Sequence, residues 1–295
     1  MKISIMMPSF NEEDYIEESV RSIMAQNYDD YELIVVDDGS TDDTKRILER
    51  LQYEFPLKLK CYFAKKEGKV SAFNLAYKYS TGNWLGFFGA DDVMPPNALK
   101  AWDKIINRRN YKEKIAICGK IKIISEDKKY DGIVIPRRGG VFNWTGGCSL
   151  QSRGMSALTM PIPDFSPNED SWCELFYKYY SDEIISINDI VLYYRIHSKN
   201  TINRYDDYLK FNDNYHARMI LASKFYEKYN KKINMENRKL LRKEIILEQY
   251  RNNGKSLRIL FLQKYRLTDK LRAFFFSRKR LYRIKIRFDR YMLGH

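Results

Sequence analysis

Hydrophobic and polar positions along the first 110 residues follow two alternating periods. Short, almost continuous apolar runs are separated by stretches in which apolar residues return every three or four positions. The predicted strands are residues 2–7, 31–38, 57–63 and 84–88, and the predicted helices between them are residues 11–26, 39–51 and 69–79. This alternation predicts an α/β fold: a mostly parallel sheet with helices on both faces.

The pattern becomes less regular after residue 110. The further predicted elements are a strand at residues 115–124, a helix within 166–180, a strand at 190–197, and helices at 205–229 and 235–252. We therefore expect an α/β domain at residues 1–200, with halves at 1–110 and 111–200. A helical C-terminal region is expected at residues 201–295.

Polar, acidic and glycine residues follow all four of the first predicted strands, at residues 8–12, 37–40, 67–69 and 89–92. In a parallel sheet these strand ends meet at one edge, where ligands bind. A cluster of carboxylates there is unfavourable unless a cation or a donor-rich ligand offsets it. Carboxylate and phosphate oxygens are the ligands that Mg²⁺ prefers. The edge therefore suits a nucleotide diphosphate bound through a divalent ion, with Lys69 adding positive charge.

Each of these motifs also has an ordinary structural explanation. An aspartate pair at a strand end is more often a solvated turn, and the DDGSTD segment at residues 37–42 resembles a common helix cap. The convergence of three acidic loops on one sheet edge favours the binding site. No GxGxxG or GxxxxGKS loop is present, so dinucleotide and P-loop sites have no support.

Composition adds an uneven distribution of charge. The 295 residues are 44% hydrophobic and 31% charged, as in globular proteins, and no apolar run is long enough to span a bilayer. Residues 251–295 contain fourteen basic and two acidic residues, which accounts for most of the net charge of +14. Such a block favours an anionic surface, either membrane or nucleic acid. The four cysteines lack metal-ligand spacing, as expected for reduced thiols in a cytosolic protein.

The order of these motifs resembles glycosyltransferase family 2, which has the GT-A fold. The resemblance runs through residues 3–44 and 68–92 and resumes at NEDSW (168–172) and YRIHSKNT (194–201). It implies an inverting transferase that moves a sugar from a nucleotide-diphosphate sugar, by analogy a UDP-sugar, to a hydroxyl of a glycan. Residues 1–110 would bind the nucleotide sugar, and residues 111–200 would face the acceptor.

The resemblance also implies roles for individual residues on the donor side. Phe10 would lie near the base, and Asp38 would accept a hydrogen bond from a ring N–H. Lys69 would lie along the diphosphate. The full set of donor-binding residues implied by the resemblance is Pro8, Ser9, Phe10, Asn11, Glu12, Asp37, Asp38, Gly68, Lys69, Asn74, Ala90 and Asp91.

The same resemblance implies a metal and a catalytic base. Asp91 matches the last aspartate of the DXD motif and would hold Mn²⁺ or Mg²⁺, with Asp92 and His197 as further candidate ligands. Gly89 stands where the first aspartate of the motif usually is, which predicts weaker or water-mediated metal binding. The catalytic pair is Glu169 and Asp170, which matches the ED motif, and Asp170 would be the general base.

The basic tail gives a prediction about location. Leu281, Ile284, Phe288, Tyr291 and Met292 form one helical stripe, and Arg280, Arg283, Arg287 and Arg290 lie on the opposite side. Such a helix lies in a membrane interface, or else packs its apolar stripe on the protein. The former predicts peripheral attachment to the inner face of the cytoplasmic membrane and a lipid-linked acceptor.

Two alternative functions were weighed against this one. A nucleotidyltransferase that makes the activated sugar shares the broad fold, but it needs a glycine-rich basic loop near the N-terminus, where residues 8–15 are acidic. A nucleic-acid-binding protein would account for the basic tail, but an acidic sheet edge repels phosphate. We therefore expect no nucleic-acid partner.

Overall fold

The computed structural model describes residues 1–137, 140, 142, 144–197 and 208–293. The chain divides into two compact units, Met1–Ser198 and Lys199–His295. The strands of the first unit are β1 (Ile3–Ser9), β2 (Tyr31–Asp37), β3 (Leu59–Phe63), β4 (Trp84–Phe87), β5 (Ile115–Ser125), β6 (Val134–Ile135), β7 (Ser149–Ser152) and β8 (Glu183–Ile196). Its helices are α1 (Ile16–Met24), α2 (Thr44–Glu54), α3 (Lys69–Tyr79), α4 (Ala98–Ile106), α5 (Arg153–Thr159) and α6 (Glu169–Tyr180).

The strands form one mixed sheet in the order β3-β2-β1-β4-β7-β5-β6, and β8 pairs with β5. Strands β1 to β4 run parallel to one another, and β7 lies antiparallel between β4 and β5. Every residue of β1 and β2 is buried, as in strands covered on both faces. The prediction of a mostly parallel sheet with helices is confirmed.

The structure differs from the sequence prediction at the start of α1 and at β7, in each case for a physical reason. Helix α1 begins at Ile16 rather than at residue 11, because residues 11–15 form the turn that follows β1. Strand β7 (SLQS) was not predicted, since three of its four residues are polar. Its burial comes entirely from its position between two apolar strands. The four cysteines are free thiols.

Glu32 of β2 is the centre of a buried polar cluster near the amino end of the parallel strands. One carboxylate oxygen accepts hydrogen bonds from Ser4 Oγ (2.8 Å) and Thr81 N (2.7 Å), and the other accepts from Lys60 Nζ (2.8 Å). Burial alone would raise the pKa of Glu32, but the hydrogen bonds from Lys60, Thr81 and Ser4 lower the pKa to about 2. The cluster therefore holds Glu32 ionised.

Replacing Glu32 by glutamine is expected to destabilise the chain by about 3 kcal/mol near neutral pH, the free energy that the lowered pKa represents. The unfolded chain protonates Glu32 near its ordinary pKa of 4.5, so the stabilisation is complete above that pH. It is lost as the pH falls toward 2. Urea unfolding of both proteins near neutral pH and near pH 3 measures this difference. A difference of equal size at both pH values would contradict the ionised cluster.

The second unit is helical. Its helices are α7 (Tyr208–Tyr229), α8 (Met235–Asn252), α9 (Ser256–Leu260), α10 (Leu267–Phe276) and α11 (Lys279–Leu293). The buried guanidinium of Arg251 donates to both oxygens of Glu248, at 2.6 Å each, and to Asn212 Oδ1 (2.6 Å) and Phe276 O (3.1 Å). A bidentate Arg–carboxylate pair of this kind fixes geometry strongly, so it locks α7, α8 and α10 together.

Helix α11 packs through a residue outside the predicted apolar stripe. Tyr282 is buried, with its ring centroid 4.7 Å from that of Phe211. Of the predicted stripe, Leu281 is half-buried and Ile284 is 54% exposed. The basic side chains Arg280, Arg283 and Arg287 are exposed. The side chains of Phe288, Arg290, Tyr291 and Met292 lie outside the described part of the chain.

None of the helices described here combines the length and the hydrophobicity that crossing a bilayer requires.

Candidate active site

The loops after β1 and β2 are joined to each other by hydrogen bonds. Asn11, at a φ of 55°, accepts from Thr41 N (2.8 Å) through its side-chain oxygen, and Glu12 N donates to Thr44 Oγ1 (2.8 Å). Asp37 is buried at the end of β2, where one of its carboxylate oxygens accepts from Ser9 Oγ (3.2 Å). Pro8 pairs with Val36 within the sheet. These bonds join the two loops into one preorganised surface. Its partly or fully exposed residues are Phe10, Asn11 and Glu12, whereas Pro8, Ser9 and Asp37 are buried.

Asp38 fixes a third loop onto this surface. Its buried carboxylate accepts from the backbone N–H groups of Glu67 and Gly68, one on each oxygen, at 2.8 Å. Gly68 adopts a φ of 100°, in the region that favours glycine, and it immediately precedes α3. Each carboxylate oxygen has a second lone pair, so the predicted contact of Asp38 with a base N–H remains compatible with these bonds.

Lys66 is a candidate binding residue that the sequence analysis did not identify. Its Nζ lies 3.4 Å from the centroid of the Phe10 ring, a cation–π contact. The contact places a positive charge beside the residue predicted to face the base. No sequence motif marks Lys66, because the contact joins residues 56 positions apart.

Asp91 and His197 are brought together although they are 106 positions apart in the sequence. His197 Nε2 lies 3.2 Å from Asp91 Oδ2, and the imidazole packs against the Tyr15 ring with centroids 4.7 Å apart. The Asp91 side chain is 24% exposed and so accessible to a ligand. Ala90, just before it, is buried. Two of the three predicted metal ligands thus lie side by side, and their binding of a metal stays a prediction.

Asp92 has a different environment. Its buried carboxylate accepts from Arg195 N (3.0 Å), while Arg195 Nε donates to the carbonyl of Asp91 (2.9 Å). Burial, and then the negative charge of Asp91, raise the pKa of Asp92 well above its ordinary value. Asp92 thus fastens the loop to β8, and its role as a metal ligand stays a prediction. Arg195 lies in the YRIHSKNT segment, but no sequence signal indicated that it positions the loop of Asp91 and Asp92.

Gly89 provides the space into which both carboxylates fold. A Cβ atom at this position would lie 2.8 Å from Asp91 Oδ1 and 2.9 Å from Asp92 Oδ2, closer than side-chain carbons normally approach. The carboxylates of Asp91 and Asp92 therefore occupy the space that a side chain at position 89 would need. Any side chain here requires Asp91 and Asp92 to move.

An ammonium group lies among three carboxylates where α3 and α6 begin. Lys69 Nζ donates to Glu169 Oε1 at 2.8 Å, and Glu169 is buried at the first residue of α6. Partial burial opposes the charged form, but the carboxylates of Glu169, Asp170 and Asp91 together raise the pKa of Lys69 above its ordinary value. Lys69 therefore stays protonated and links the predicted donor side to the predicted catalytic pair.

Gly146 lies against this pair. A Cβ at Gly146 would lie 3.0 Å from Asp170 Oδ1 and 3.1 Å from Glu169 Oε1, so a glycine allows the 146–148 turn to pack on both carboxylates. The helix cap is Asn168, whose side chain accepts from Ser171 N (3.1 Å). Acidic residues in the first turn of a helix are favoured by its dipole. Both effects help to hold Asp170 at the sheet edge.

Asn74, a predicted donor-binding residue, uses its side chain to bind the backbone of another segment. Its side-chain amide donates to Ile162 O (2.8 Å) and accepts from Ile162 N (2.7 Å). This pair of bonds ties α3 to the segment before α6, and the predicted contact of Asn74 with the ribose stays a prediction. A cleft of about 400 Å³ lies between those two segments, lined by Gly68, Lys69 and Ser71 on one side and by Asp164 and Ser166 on the other.

The residues present suit a divalent ion held partly by substrate. Across residues 1–137, 140, 142, 144–197 and 208–293, no group of three His, Cys, Asp or Glu side chains is arranged to hold a metal. Asp91 with His197 offers one carboxylate and one imidazole side by side. Mg²⁺ is usually bound by one or two carboxylates, with phosphate oxygens and water completing its shell. The pair therefore fits an ion that is completed by a diphosphate.

The family of the chain follows from a comparison with family models. The model described as "Glycosyl transferase family 2" matches residues 4–158, which is more than half of the chain. The chain belongs to glycosyltransferase family 2. Membership favours the glycosyltransferase prediction over the nucleotidyltransferase and nucleic-acid-binding alternatives.

Individual relatives of this family 2 chain support the same fold. WfgD of Escherichia coli, a UDP-Glc:alpha-D-GlcNAc-diphosphoundecaprenol beta-1,3-glucosyltransferase, is 31% identical over 161 residues, which cover 54% of this chain and 59% of WfgD. Across eight such curated relatives, the matched part ranges from 16% to 66% of the relative's own length. The structure of S. aureus TarS (residues 1–349) with UDP-GlcNAc is similar at a TM-score of 0.64 and 19% identity, covering 95% of this chain and 83% of that one.

A second similar solved structure contains a divalent metal. The mannosyltransferase PcManGT from Pyrobaculum calidifontis, in complex with GDP-Man and Mn²⁺, is similar at a TM-score of 0.59 and 18% identity, covering 93% of this chain and 72% of that one. These likenesses show that the family 2 chain has the GT-A fold. The predicted fold is confirmed.

Proposed function

We propose that the chain transfers a sugar from a nucleotide-diphosphate sugar, a UDP-sugar, to a hydroxyl group of a glycan acceptor, with inversion at the anomeric carbon. The observation that carries this proposal is the cluster of Lys69, Asp91, Glu169 and Asp170 at the carboxyl edge of the sheet. Within one small region this cluster offers an ammonium group suited to a diphosphate, a carboxylate suited to a metal ion and a carboxylate pair suited to base catalysis. TarS with UDP-GlcNAc and WfgD with UDP-Glc support the choice of uridine.

The chain's residues divide the work of the reaction. Asp170 takes the proton of the acceptor hydroxyl, whose oxygen forms a bond to the anomeric carbon. The bond from that carbon to the phosphate oxygen breaks, and its electron pair leaves with the nucleoside diphosphate. Asp91 and His197 would hold Mn²⁺ or Mg²⁺, which supplies positive charge at the leaving diphosphate. Glu169 fixes the first turn of α6 to Lys69, and so positions Asp170.

Thermal unfolding with candidate donors tests this function. A UDP-sugar with Mn²⁺ is expected to stabilise the chain by ~2–4 kcal/mol at many times its dissociation constant, and GDP- and dTDP-sugars by less. Asp38→Ala should reduce the gain, because it releases the Glu67–Gly68 backbone from the nucleotide surface. Asp29→Ala, which removes an exposed carboxylate, should keep the full gain. If the UDP-sugar stabilises the parent and Asp38→Ala equally, Asp38 is not part of the nucleotide site.

The acceptor side of the proposal rests on aromatic residues near α6. Phe142 is exposed and stacks on Trp144, with ring centroids 5.6 Å apart, and Trp144 contacts Tyr177 of α6 at 4.8 Å. This pair offers a flat apolar face to a sugar ring. Trp172, the third aromatic candidate, is buried and donates to Thr159 O (2.9 Å), so it belongs to the core.

We further propose that the acceptor is lipid-linked and that the chain attaches peripherally to the inner face of the cytoplasmic membrane. WfgD, whose name specifies a diphosphoundecaprenol acceptor, supports the first part, and the basic charge of residues 251–295 supports the second. Flotation measures attachment: the chain should rise with phosphatidylglycerol-containing vesicles at low salt and dissociate at high salt. A chain that ignores such vesicles would contradict attachment.

A further inference from the structure

Large apolar side chains are exposed to solvent on both sides of the turn between α9 and α10. Phe261 is 83% exposed, Leu257 70%, Leu267 65% and Leu271 40%. We define residues 257–272 as the α9–α10 corner. Single exposed apolar residues are normal on protein surfaces, but a group of four within sixteen residues indicates a contact surface.

The exposed side chains are ordered along the two helices. Leu257 lies in α9, and Phe261 directly follows the helix in helical conformation four residues later, so the two project from the same side. Leu267 and Leu271 share one side of α10 in the same way. The opposite side of α9 carries the buried residue Ile259. Each helix therefore buries one side and leaves an apolar side in solvent.

The corner is held in place without these four side chains. Lys270 Nζ donates to the carbonyls of Leu260 (2.7 Å) and Leu262 (3.3 Å), which closes the turn. The hydroxyls of Ser256 and Ser277 are 2.7 Å apart and join the start of α9 to the end of α10. Folding thus gives no reason for the four apolar residues, and their exposure calls for a partner.

Charge identifies the class of partner. The corner contains five basic residues and one acidic residue, Asp269. Arg258, Lys264, Arg266 and Arg272 are exposed beside the apolar residues. A nucleic acid would pair with these charges but would leave the leucines in water. An anionic bilayer accepts both groups, with apolar side chains at the boundary between headgroups and acyl chains and basic side chains among the phosphates.

We propose that the α9–α10 corner is the surface by which this chain docks on an anionic bilayer. The proposal rests on the peripheral attachment proposed above, and it moves the contact from α11 to the corner. Helix α11 turns Tyr282 inward, and among its side chains described up to residue 287 the only strongly exposed large apolar one is Ile284. The α9–α10 corner exposes four large apolar side chains and four basic side chains.

The test is flotation of the full chain and of two matched double variants. Leu257→Ser/Phe261→Ser is expected to bind phosphatidylcholine–phosphatidylglycerol vesicles about 100-fold more weakly, at about tenfold for each apolar side chain lost from the interface. Met235→Ser/Leu240→Ser removes two apolar residues that are 70% and 43% exposed elsewhere in the same helical unit. This control should bind like the parent, and all three proteins should keep the same donor-induced thermal shift.

A charge variant tests the same surface independently of its apolar residues. Arg258→Gln/Arg266→Gln should weaken binding to anionic vesicles about 25-fold, because each basic residue contributes about fivefold near an anionic leaflet. Binding to pure phosphatidylcholine should not change.

Three results would overturn the proposal, and they differ in whether peripheral attachment to the membrane is also contradicted. If the parent floats and both corner variants float equally well, the corner is not the docking surface, although attachment stands. If the parent stays at the bottom with anionic vesicles, attachment and the corner are both wrong. If light scattering shows a parent dimer that Leu257→Ser/Phe261→Ser dissociates, and no protein floats, the corner is an interface between copies.

Discussion

Asp170→Asn is expected to lower the rate of sugar transfer by about 10²–10⁴-fold, the usual contribution of a general base. Asparagine keeps the size and the helix-terminal position of the side chain but cannot accept the acceptor proton. Donor binding should persist, because Asp170 lies on α6 and not on the loops that form the nucleotide surface. Single-turnover transfer assays and donor titration by calorimetry measure the two properties separately.

The matched control is Glu113→Gln, which removes an exposed carboxylate from the segment before β5, away from the cleft. It should transfer sugar at nearly the parental rate. Glu169→Gln should behave differently from both, since it breaks the ion pair with Lys69 and so disturbs the position of Asp170 without removing the base. Near-parental transfer by Asp170→Asn would assign the base to another carboxylate.

Asp91→Asn is expected to reduce Mn²⁺-dependent binding of the nucleoside diphosphate by more than about 100-fold. Changes to residues that only orient metal ligands cost 10–100-fold, and a ligand itself should cost more. The fold should remain intact, because the Asp91 side chain is partly exposed and Arg195 Nε holds the loop through the backbone carbonyl of Asp91. Calorimetry with and without Mn²⁺ measures the effect.

Asp189→Asn is the control for charge, since it removes an exposed carboxylate from β8 of the same unit. Its nucleotide affinity should match that of the parent at every Mn²⁺ concentration. His197→Ala should show a smaller loss than Asp91→Asn, because it leaves the carboxylate of the pair in place. Unchanged Mn²⁺ dependence in Asp91→Asn would exclude Asp91 as a metal ligand.

The sequence predicted the strand ends well because their signals are local. Continuous apolar runs identify β1, β2 and β4, and the polar residues after each run must then meet at one edge. The amino-terminal half of β8 was missed because its residues are partly exposed and lack a continuous apolar run. Strand β7 was missed because its polar residues acquire their burial only from neighbouring strands.

The site was predicted less completely than the fold, since its contacts join distant parts of the chain. Lys69 and Glu169 are 100 residues apart, and Arg195 reaches Asp91 across 104. The resemblance to a family supplied the candidate residues, but no pattern indicates which partner each side chain has. Asn74 illustrates the limit, because its amide group binds the backbone of Ile162 in a way that only tertiary structure reveals.

Gly89 couples the two aspartate positions that follow it. A side chain at position 89 would meet the carboxylate oxygens of Asp91 and Asp92, and the Asp92 carboxylate accepts from the Arg195 amide. An aspartate placed at position 89 must therefore displace the ends of both neighbouring side chains, so its effect depends on how freely they move. The cost of a substitution at any one of these three positions then depends on the other two, and a double-mutant cycle measures that dependence.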